Sequence, residues 1–310
     1  MSSTTSFKKA FFIDKVVSIE EAQISIMAKV VQYGMGWFGG VRGYMNADKS
    51  TINIFRLDDH IERFLNSAKI LGVSIKYNHL EVKEIFMKLV KQNSPKVDTY
   101  FRPFAFAENT DISPNFLQNP VFSFALYMMP LGDYIPTDKG NSVCVSSWRR
   151  VSDNAIPSRA KISGAYVNSA LAKQEAIKNG FSEAIELDEA GQVTEGTAMN
   201  LFIVRNGTLI TPASSSDILE GITRRTVFEI AKNEGIPVVE RAVDRTELYV
   251  SDEAFFCGTG AQIAWISEID HRAIGTSKMG PITDKIRSVF YGAVRGKFPK
   301  YKKWLTTIKV

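Results

Sequence analysis

The sequence has little that is typical of secreted, metal-binding or membrane proteins. Only two of its 310 residues are cysteines, Cys144 and Cys257, and they form neither a CxxC pair nor a metal-ligand spacing. Isolated thiols in a chain of this length indicate a reducing compartment. The longest apolar run, residues 121–130, is too short to span a bilayer. The N-terminal residues lack the apolar core of a signal peptide, so we expect a short disordered start and a cytoplasmic protein without metal or membrane partners.

Charge does not indicate a nucleic-acid partner either. The net charge is +5, and lysine and arginine are spread along the chain. The one tight basic cluster, residues 297–303, is expected to be a solvated face. A mildly basic chain of this kind is consistent with anionic small-molecule substrates. Apolar residues make up 45% and charged residues 23% of the chain, which is ordinary for a globular protein with a substantial core.

Hydrophobic periodicity predicts a mixture of helices and strands without strict alternation. The predicted helices cover residues 58–71, 79–93, about 165–180, 222–235 and a segment that begins near Pro281. The predicted strands include 52–57, 99–108, 121–130, 142–150, two hairpins that turn at 188–191 and at Asn206-Gly207, and strands that fill residues 237–270. This order favours an α+β fold rather than one doubly wound sheet. The segment 130–141, rich in proline and glycine, is the best linker candidate and would divide the chain into domains 1–129 and 142–310.

The predicted strand 99–108 carries polar groups on one face. Because successive side chains of a strand point to opposite faces, one face should carry Tyr100, Arg102, Phe104 and Phe106. Pro103 cannot donate a ladder hydrogen bond, so we expect this strand to lie at a sheet edge or to be bulged.

A glycine-rich stretch, YGMGWFGGVRGY at residues 33–44, matches the dinucleotide fingerprint G-x-G-x-x-G. An acid follows about twenty residues later, at Asp58 or Asp59, as that fingerprint requires. The fingerprint also requires a helix that opens within it, yet residues 40–55 contain helix breakers and lack a helical period. We therefore interpret these glycines as allowing the backbone and the nearby aromatic rings, Tyr33, Trp37 and Phe38, to approach a ligand closely.

Two charged side chains in the second half of the chain are candidates for chemistry. Lys161 has small and apolar neighbours, and desolvation lowers the pKa of an amine and makes it a nucleophile for a carbonyl. Most lysines are ordinary surface residues. Taken by itself, Lys161 could therefore also be a surface lysine without a chemical role. Glu195 lies where a strand breaks at Gly196, and taken alone it could equally be an exposed turn acid.

Two small-residue loops could bind a phosphate. Gly221, Ile222 and Thr223 stand at a predicted helix start, where free N–H groups and the helix dipole favour an anion. Ordinary N-capping by Thr223 is the alternative. A second loop, CGTGAQ at residues 257–262, offers the hydroxyl of Thr259, with a simple turn as its alternative. Together, a lysine, a phosphate cup and a carboxylate fit pyridoxal phosphate, whose ring acts as an electron sink.

At these residues the sequence resembles the branched-chain aminotransferases, members of the class IV pyridoxal-phosphate enzymes. The most specific motif is KISGAYVNSALAKQEAIKNGFSEAIELDEAGQVTEGTAMNLFIV from Lys161, followed by LEGITR and GTGAQI, and the similarity runs from about residue 10 to about residue 305. The resemblance implies a D-amino acid aminotransferase-like fold, with a smaller N-terminal α/β domain and a larger C-terminal pseudo-barrel domain. It also implies a homodimer or a higher homo-oligomer.

The same resemblance implies roles for particular residues. Lys161 resembles the catalytic Schiff-base lysine that carries the proton. The implied cofactor contacts are Tyr166 at the ring hydroxyl, Glu195 at the pyridine nitrogen, Leu219 against the ring, and Arg56, Gly221, Ile222, Thr223 and Thr259 at the phosphate. The implied substrate contacts are Tyr100, Arg102 and Gly260 at the carboxylate, with Tyr33, Phe38, Gly40 and Tyr134 around the side chain.

The implied reaction is transamination of L-leucine, L-isoleucine or L-valine with 2-oxoglutarate, which gives branched-chain 2-oxo acids and L-glutamate. Transaminases of D-amino acids or (R)-amines and aminodeoxychorismate lyase belong to the same class and remain alternatives. The pair Tyr100 and Arg102 and the KISGAY form favour the L-branched-chain reading. Many relatives differ at three pocket positions, with glutamate at Gly39, tryptophan near Leu131 and glutamate at Met199, so these positions bear on pocket shape and acceptor preference.

Overall fold

The computed structural model describes residues 6–310 and separates into two compact units. The first unit contains the chain up to Gly132 together with Ala160–Gly164 and Gly292–Val310, and the second contains Asp133–Arg159 and Ala165–Tyr291. The continuous domains 1–129 and 142–310, with their linker 130–141, stay a prediction. The first five residues of the expected disordered start lie outside the described part. Within residues 6–310, no helix combines the length and apolar character needed to cross a membrane.

From residue 6 onward, the first unit contains one nine-stranded sheet, three α-helices and two 3₁₀ helices, Ile19–Glu21 and Pro299–Trp304. Its strands are β1 (Lys9–Phe12), β2 (Lys15–Ser18), β3 (Gly36–Phe38), β4 (Val41–Met45), β5 (Thr51–Phe55), β6 (Ser74–Ile75), β7 (Thr99–Phe106), β8 (Val121–Pro130) and β18 (Leu305–Lys309). Its helices are α1 (Lys29–Tyr33), α2 (Leu57–Ile70) and α3 (His79–Asn93). The strand order is β18-β5-β4-β7-β8-β1-β2, with β3 also on β7 and β6 on β8.

Helix α3 occupies the predicted residues 79–93, and its first turn explains why. Asn78 accepts hydrogen bonds from the backbone N–H groups of Leu80 and Glu81, and Glu81 accepts from the N–H of Asn78 in return. This capping box satisfies N–H groups that have no partner inside the helix. The apolar face of α3 is fully enclosed in the core of this unit through Val82, Phe86, Leu89 and Val90.

The prediction that Pro103 places its strand at an edge or in a bulge was wrong. Strand β7 lies inside the sheet, with β8 on one side and both β3 and β4 on the other, and its register stays regular. The carbonyl of Pro103 accepts a hydrogen bond from the N–H of Gly39 at 2.8 Å, so the backbone of Pro103 faces the β3–β4 side. The hydrogen bond that Pro103 cannot donate is therefore missing opposite Gly39 and Gly40. These residues lie between β3 and β4, where the partner of β7 is interrupted.

The second unit contains another nine-stranded sheet, ordered β11-β10-β9-β16-β15-β12-β13-β14 with β17 on β16. Its strands are β9 (Asn141–Arg149), β10 (Glu183–Leu187), β11 (Val193–Gly196), β12 (Asn200–Arg205), β13 (Thr208–Thr211), β14 (Val238–Glu240), β15 (Glu253–Gly258), β16 (Gln262–Ile269) and β17 (Arg272–Ala273). Its helices are α4 (Tyr166–Lys178), α5 (Ile222–Asn233), α6 (Arg245–Leu248) and α7 (Pro281–Val294), of which α7 continues into the first unit from Gly292. Helix α6 interrupts a segment that was predicted to hold only strands.

Both predicted hairpins of the second unit are confirmed, and two parallel crossovers accompany them. The turns at 188–191 and at Asn206-Gly207 join antiparallel pairs β10–β11 and β12–β13. Helix α4 connects the parallel strands β9 and β10, and α5 connects the parallel strands β13 and β14. Antiparallel hairpins beside βαβ crossovers agree with the predicted α+β class. This arrangement brings together the C-terminal ends of β9 and β11 and the N-terminus of α5. Arg150, Glu195 and Gly221 lie at these three places.

Candidate active site

Lys161 belongs to a short segment that pairs with β3 in the first unit. The N–H of Phe38 donates to the carbonyl of Lys161 at 3.0 Å, and the N–H of Ser163 donates to the carbonyl of Gly36 at 2.9 Å. These bonds fix the backbone on both sides of the lysine. Its Nζ lies 5.4 Å from the centre of the Phe38 ring, while its neighbours Ala160 and Ile162 are buried. The amine is therefore held beside the glycine-rich stretch. This position does not fit the alternative that Lys161 is an ordinary surface lysine.

Arg102, Tyr100 and Phe38 form a compact group in the same unit. The Arg102 guanidinium lies 4.4 Å from the Phe38 ring centre and 5.1 Å from that of Tyr100. Arg102 Nη2 also donates to the Tyr100 hydroxyl at 3.0 Å, so both residues share one face of β7 as predicted. A Cβ at Gly40 would fall on the Tyr100 hydroxyl. Glycine at this position is thus required for the tyrosine to lie across the strand interruption.

Tyr33 ends helix α1, and its hydroxyl donates to the carbonyl of Ile112 at 2.8 Å. Lys29, at the start of α1, is fully buried and pairs with Asp111 at 2.8 Å. Lys29 Nζ also donates to Gln118 Oε1 at 3.2 Å. The two ends of α1 therefore hold the loop 107–118 against this part of the first unit. Tyr33 as a whole remains 45% exposed.

Arg56 stands at the N-cap of α2 in a left-handed backbone conformation, with φ of 47°. Its guanidinium lies 4.4 Å from the ring centre of Trp304, and Arg56 Nη1 pairs with Asp59 at 3.0 Å. Trp304 stacks in turn on Tyr301, with ring centres 4.2 Å apart. Tyr301 lies in the basic segment 297–303, and Trp304 directly follows that segment. The lysines of that segment are exposed, as predicted for a solvated face.

In the second unit, Glu195 of β11 is a buried carboxylate held by three donors. Asn200 Nδ2 donates to Oε2 at 2.8 Å, Arg150 Nη2 pairs with Oε1 at 3.0 Å, and the N–H of Leu219 reaches Oε1 at 3.3 Å. Glu195 is only 4% exposed. Such donors favour the ionised form of a buried acid. The alternative of an exposed turn acid is excluded by this burial.

Arg150, which directly follows β9, links two buried acids. Its Nη1 lies 3.7 Å from Glu186 Oε2, while Nη2 meets Glu195. Burial acts to lower the pKa of Arg150, but the carboxylates of Glu195 and Glu186 outweigh it and raise that pKa above its ordinary value. Burial raises the pKa of Glu186 to about 7; Arg150 opposes that rise, and the carboxylates of Glu195 and Glu183 add to it.

The N-terminus of α5 provides backbone donors next to this network. Gly221 is the N-cap, and no side chain accepts a capping hydrogen bond there. Thr223 lies inside the first turn, so the alternative of N-capping by Thr223 does not hold. A Cβ at Gly221 would fall on Asn200 Oδ1, and Asn200 Nδ2 also donates to the carbonyl of Leu219 at 2.8 Å. Asn200 therefore ties the α5 N-terminus to Glu195.

The remaining predicted residues of the second unit lie at two places. Tyr166 opens α4 and, after Glu195 and Glu186, is among the groups that raise the pKa of Arg150. Thr259 and Gly260 form the turn between β15 and β16. Tyr134 packs on that turn, since a Cβ at Gly260 would lie 3.4 Å from the Tyr134 ring.

Sequence reasoning missed Arg150 and Asn200. Both are buried polar residues that contact Glu195 directly. Arg150 stands at the end of a strand in SSWRR, where an arginine is ordinarily read as solvent-exposed. Asn200 follows the TEGTAM turn and begins β12, where asparagine is uncommon because strands disfavour it. A polar residue directly before the apolar run at residues 201–204 was the available signal.

Comparison with known proteins identifies the family. The model of the amino-transferase class IV family matches residues 45–269. A probable branched-chain-amino-acid aminotransferase of Aquifex aeolicus is 42% identical, with 99% of each chain covered. A branched-chain-amino-acid aminotransferase of Pseudomonas aeruginosa is 36% identical, with 95% of each chain covered.

Solved structures agree with this result. A branched-chain aminotransferase from Thermoproteus uzoniensis, crystallised with norvaline, superposes with a TM-score of 0.93 at 42% identity and covers 98% of this chain and 99% of its own. A branched-chain amino acid aminotransferase from Thermobaculum terrenum, crystallised in its PLP-form, gives a TM-score of 0.92 at 35% identity, with 97% of this chain and 98% of its own covered. The predicted α+β class IV fold is confirmed, and the chain belongs to the class IV aminotransferases, within the group of branched-chain-amino-acid aminotransferases.

Proposed function

We propose that this aminotransferase acts on the L-branched-chain amino acids leucine, isoleucine and valine, with 2-oxoglutarate as acceptor. The observation that carries the proposal is the group of Phe38, Tyr100 and Arg102 beside the Lys161 amine. One guanidinium lined by aromatic rings suits an amino acid that has a carboxylate and an apolar side chain. The similar proteins named branched-chain aminotransferases support the same substrate class.

The cofactor of class IV aminotransferases is pyridoxal phosphate, and the residues present fit it. Lys161 supplies an amine on a fixed backbone, and Glu195 supplies a buried carboxylate with donors that favour its ionised form. The uncapped N-terminus of α5 offers N–H groups for an anion. When bound, the cofactor supplies an electron sink for negative charge at the substrate α-carbon.

Further residues would hold the cofactor in place. Ionised Glu195 accepts a hydrogen bond from the protonated pyridine nitrogen and so keeps that proton in place. The phosphate would be bound by the N–H groups of Gly221, Ile222 and Thr223 at the N-terminus of α5. The remaining proposed contacts are Arg56 and the Thr259 hydroxyl at the phosphate, Tyr166 at the ring hydroxyl and Leu219 against the ring face.

The substrate would be oriented by charge at one end and by ring surface at the other. Arg102 and the Tyr100 hydroxyl bind the α-carboxylate, and the Gly260 N–H assists. The side chain lies against the wall formed by Tyr33, Phe38, Gly40 and Tyr134. Lys161 Nζ then takes the proton from the α-carbon and holds it for return, which makes Lys161 both base and acid in the reaction.

We also propose that the protein is a homodimer or a higher homo-oligomer. In the segments 26–31 and 112–117 of the first unit, five large apolar residues are more than half exposed: Ile26, Met27, Val31, Ile112 and Leu117. An exposed group of this kind marks an interaction surface. A cytoplasmic location is proposed as well, because the two cysteines are free thiols, both buried. Light scattering of the purified protein tests the assembly, and a monomeric mass would contradict it.

A panel of amino donors with 2-oxoglutarate tests the substrate proposal. We expect glutamate of L configuration to accumulate with L-leucine, L-isoleucine and L-valine, and little with their D forms. Turnover of D-amino acids or (R)-amines in preference to these donors would overturn the proposal in favour of another class IV transaminase. Release of pyruvate from aminodeoxychorismate, without glutamate formation from any donor, would favour the lyase.

A further inference from the structure

Glu186 of β10 is a fully buried acid to which the reaction assigns no role. Its relative exposure is 0%, and neither of its carboxylate oxygens has a hydrogen-bond partner within residues 6–310. A buried charge without hydrogen bonds is costly. A residue kept in this state on a strand inside a sheet calls for an explanation beyond packing.

The strands on both sides of Glu186 are irregular. The register of β10 shifts between Ile185 and Leu187 against β9 and also against β11. Glu195 lies in the irregular stretch of β11, between Val193 and Gly196. Bulges of this kind re-aim side chains and are frequent next to active sites. Here the irregularity accompanies the sharing of one arginine by Glu186 and Glu195.

Arg150, Glu186 and Glu195 form what we call the Arg150 cluster. The two Nη atoms of Arg150 divide between the acids, at 3.7 Å from Glu186 and 3.0 Å from Glu195. The other hydrogen bonds of the guanidinium run from Nη1 to Ser169 Oγ and from Nε to the carbonyl of Asp217. Arg150 is therefore fixed, and it cannot turn to follow a change of charge on either acid.

Other charged groups around the Arg150 cluster are already paired or act from further away. Glu183, on the same strand, pairs with Lys173 of α4 at 2.9 Å and accepts from the Thr197 hydroxyl at 2.7 Å. Tyr166 of α4 and the carboxylate of Asp217 influence the pKa of Arg150 electrostatically, but less than the two glutamates do. The protonation state of Glu186 thus decides whether the cluster carries a net charge of zero or one negative charge.

We propose that Glu186 is a positioning residue that, through Arg150, sets the negative charge available at Glu195 and so the strength with which the cofactor's ring nitrogen keeps its proton. The inference rests on the proposed pairing of Glu195 with that nitrogen. When Glu186 is neutral, Arg150 balances Glu195 alone; when Glu186 is ionised, Arg150 is shared and Glu195 retains more of its charge. Since burial places the titration of Glu186 near pH 7, the change falls within the ordinary range of cytoplasmic pH.

The test follows the visible absorbance of the bound cofactor from pH 5 to pH 9 in the holoenzyme. We expect a change in band position or intensity with a midpoint near pH 7 in the wild-type protein. That change should be lost in Glu186→Gln, which keeps the shape of the side chain and removes its charge. It should persist in Glu189→Gln, a matched control at an exposed acid of the β10–β11 turn.

Two results would overturn the proposal: a wild-type band that does not change near pH 7, or a change that persists in Glu186→Gln. Borohydride reduction of the same samples separates this failure from failure of the proposed function, because the cofactor must still be found on Lys161. If Glu186→Gln does not fold, carboxyl ¹³C NMR of wild-type protein labelled at glutamate gives a second readout. One glutamate carboxyl should titrate near pH 7, and the titration of every glutamate below pH 6 would refute the idea.

Discussion

Asn200 Nδ2 lies 2.8 Å from Glu195 Oε2 and 2.8 Å from the carbonyl oxygen of Leu219. One side-chain amide thus joins the carboxylate proposed for the pyridine nitrogen to the residue proposed to pack on the ring. Its Oδ1 also occupies the space that a side chain at Gly221 would need. The first prediction concerns this residue.

Asn200→Ala should weaken binding of pyridoxal phosphate by roughly tenfold, because a buried carboxylate loses a charge-assisted hydrogen bond worth about 1–3 kcal/mol. Spectral titration of the apoprotein with the cofactor measures this. Asn179→Ala is the control, since Asn179 is an exposed residue at the end of α4. Equal affinities for the two variants would show that Asn200 does not support the site.

Gly40→Ala should raise the KM for the amino donor by about tenfold or more, with cofactor content unchanged. The new methyl group would displace the Tyr100 hydroxyl and with it the hydrogen bond to Arg102. Steady-state kinetics with leucine measures the effect. Gly132→Ala is the matched control, because a Cβ there meets nothing within 4 Å. An unchanged KM in Gly40→Ala would argue against Tyr100 and Arg102 as substrate binders.

Trp304→Leu should reduce cofactor affinity by roughly 2- to 30-fold, because stacking of a guanidinium on tryptophan contributes about 0.5–2 kcal/mol. The stacking holds Arg56, the proposed phosphate ligand, 4.4 Å from the indole centre. Inorganic phosphate, which should compete with the cofactor for Arg56, should also bind more weakly to this variant. Trp148→Leu, at a tryptophan that is 45% exposed, is expected to bind the cofactor as the wild type does. Equal loss in both variants would contradict a specific role for Trp304.

The stability of the apoprotein should depend on pH through Glu186. Its pKa is raised from 4.5 to about 7 in the folded state, so the folded protein holds this proton more tightly than the unfolded chain. The resulting stabilisation is present below pH 4.5 and is lost as pH rises through 7, a change of roughly 3 kcal/mol. Between about pH 4.5 and pH 7, the free energy of unfolding in urea should therefore fall more for the wild-type protein than for Glu186→Gln. Parallel curves for the two proteins would contradict the raised pKa.

Several elements could be predicted from the sequence because short-range signals specify them. Helix α3 has a capping box at Asn78 and Glu81, and the hairpin at Asn206-Gly207 has the dipeptide that its turn needs. The helix after Gly221 was also found, together with the absence of a helix in the glycine-rich stretch. That absence was enough to separate these glycines from a dinucleotide site.

Other features depend on distant parts of the chain and left little local signal. Helices α1 and α6 have five and four residues, too short for a hydrophobic period. Pairing of the Lys161 segment with β3 joins residues more than a hundred positions apart. Arg150 and Asn200 are buried polar residues that contact Glu195, and the role of that acid was recognised through the family motif. Long-range pairing, rather than propensity, determines these parts of the site.

Reduction of the holoenzyme with borohydride, followed by peptide mapping, tests the central claim most directly. The reagent makes the bond between the cofactor and its lysine permanent, so the modified residue can be identified by mass. We predict one phosphopyridoxyl group per chain, on Lys161. A label on a different lysine, or no label on a protein that still transaminates leucine, would contradict the assignment.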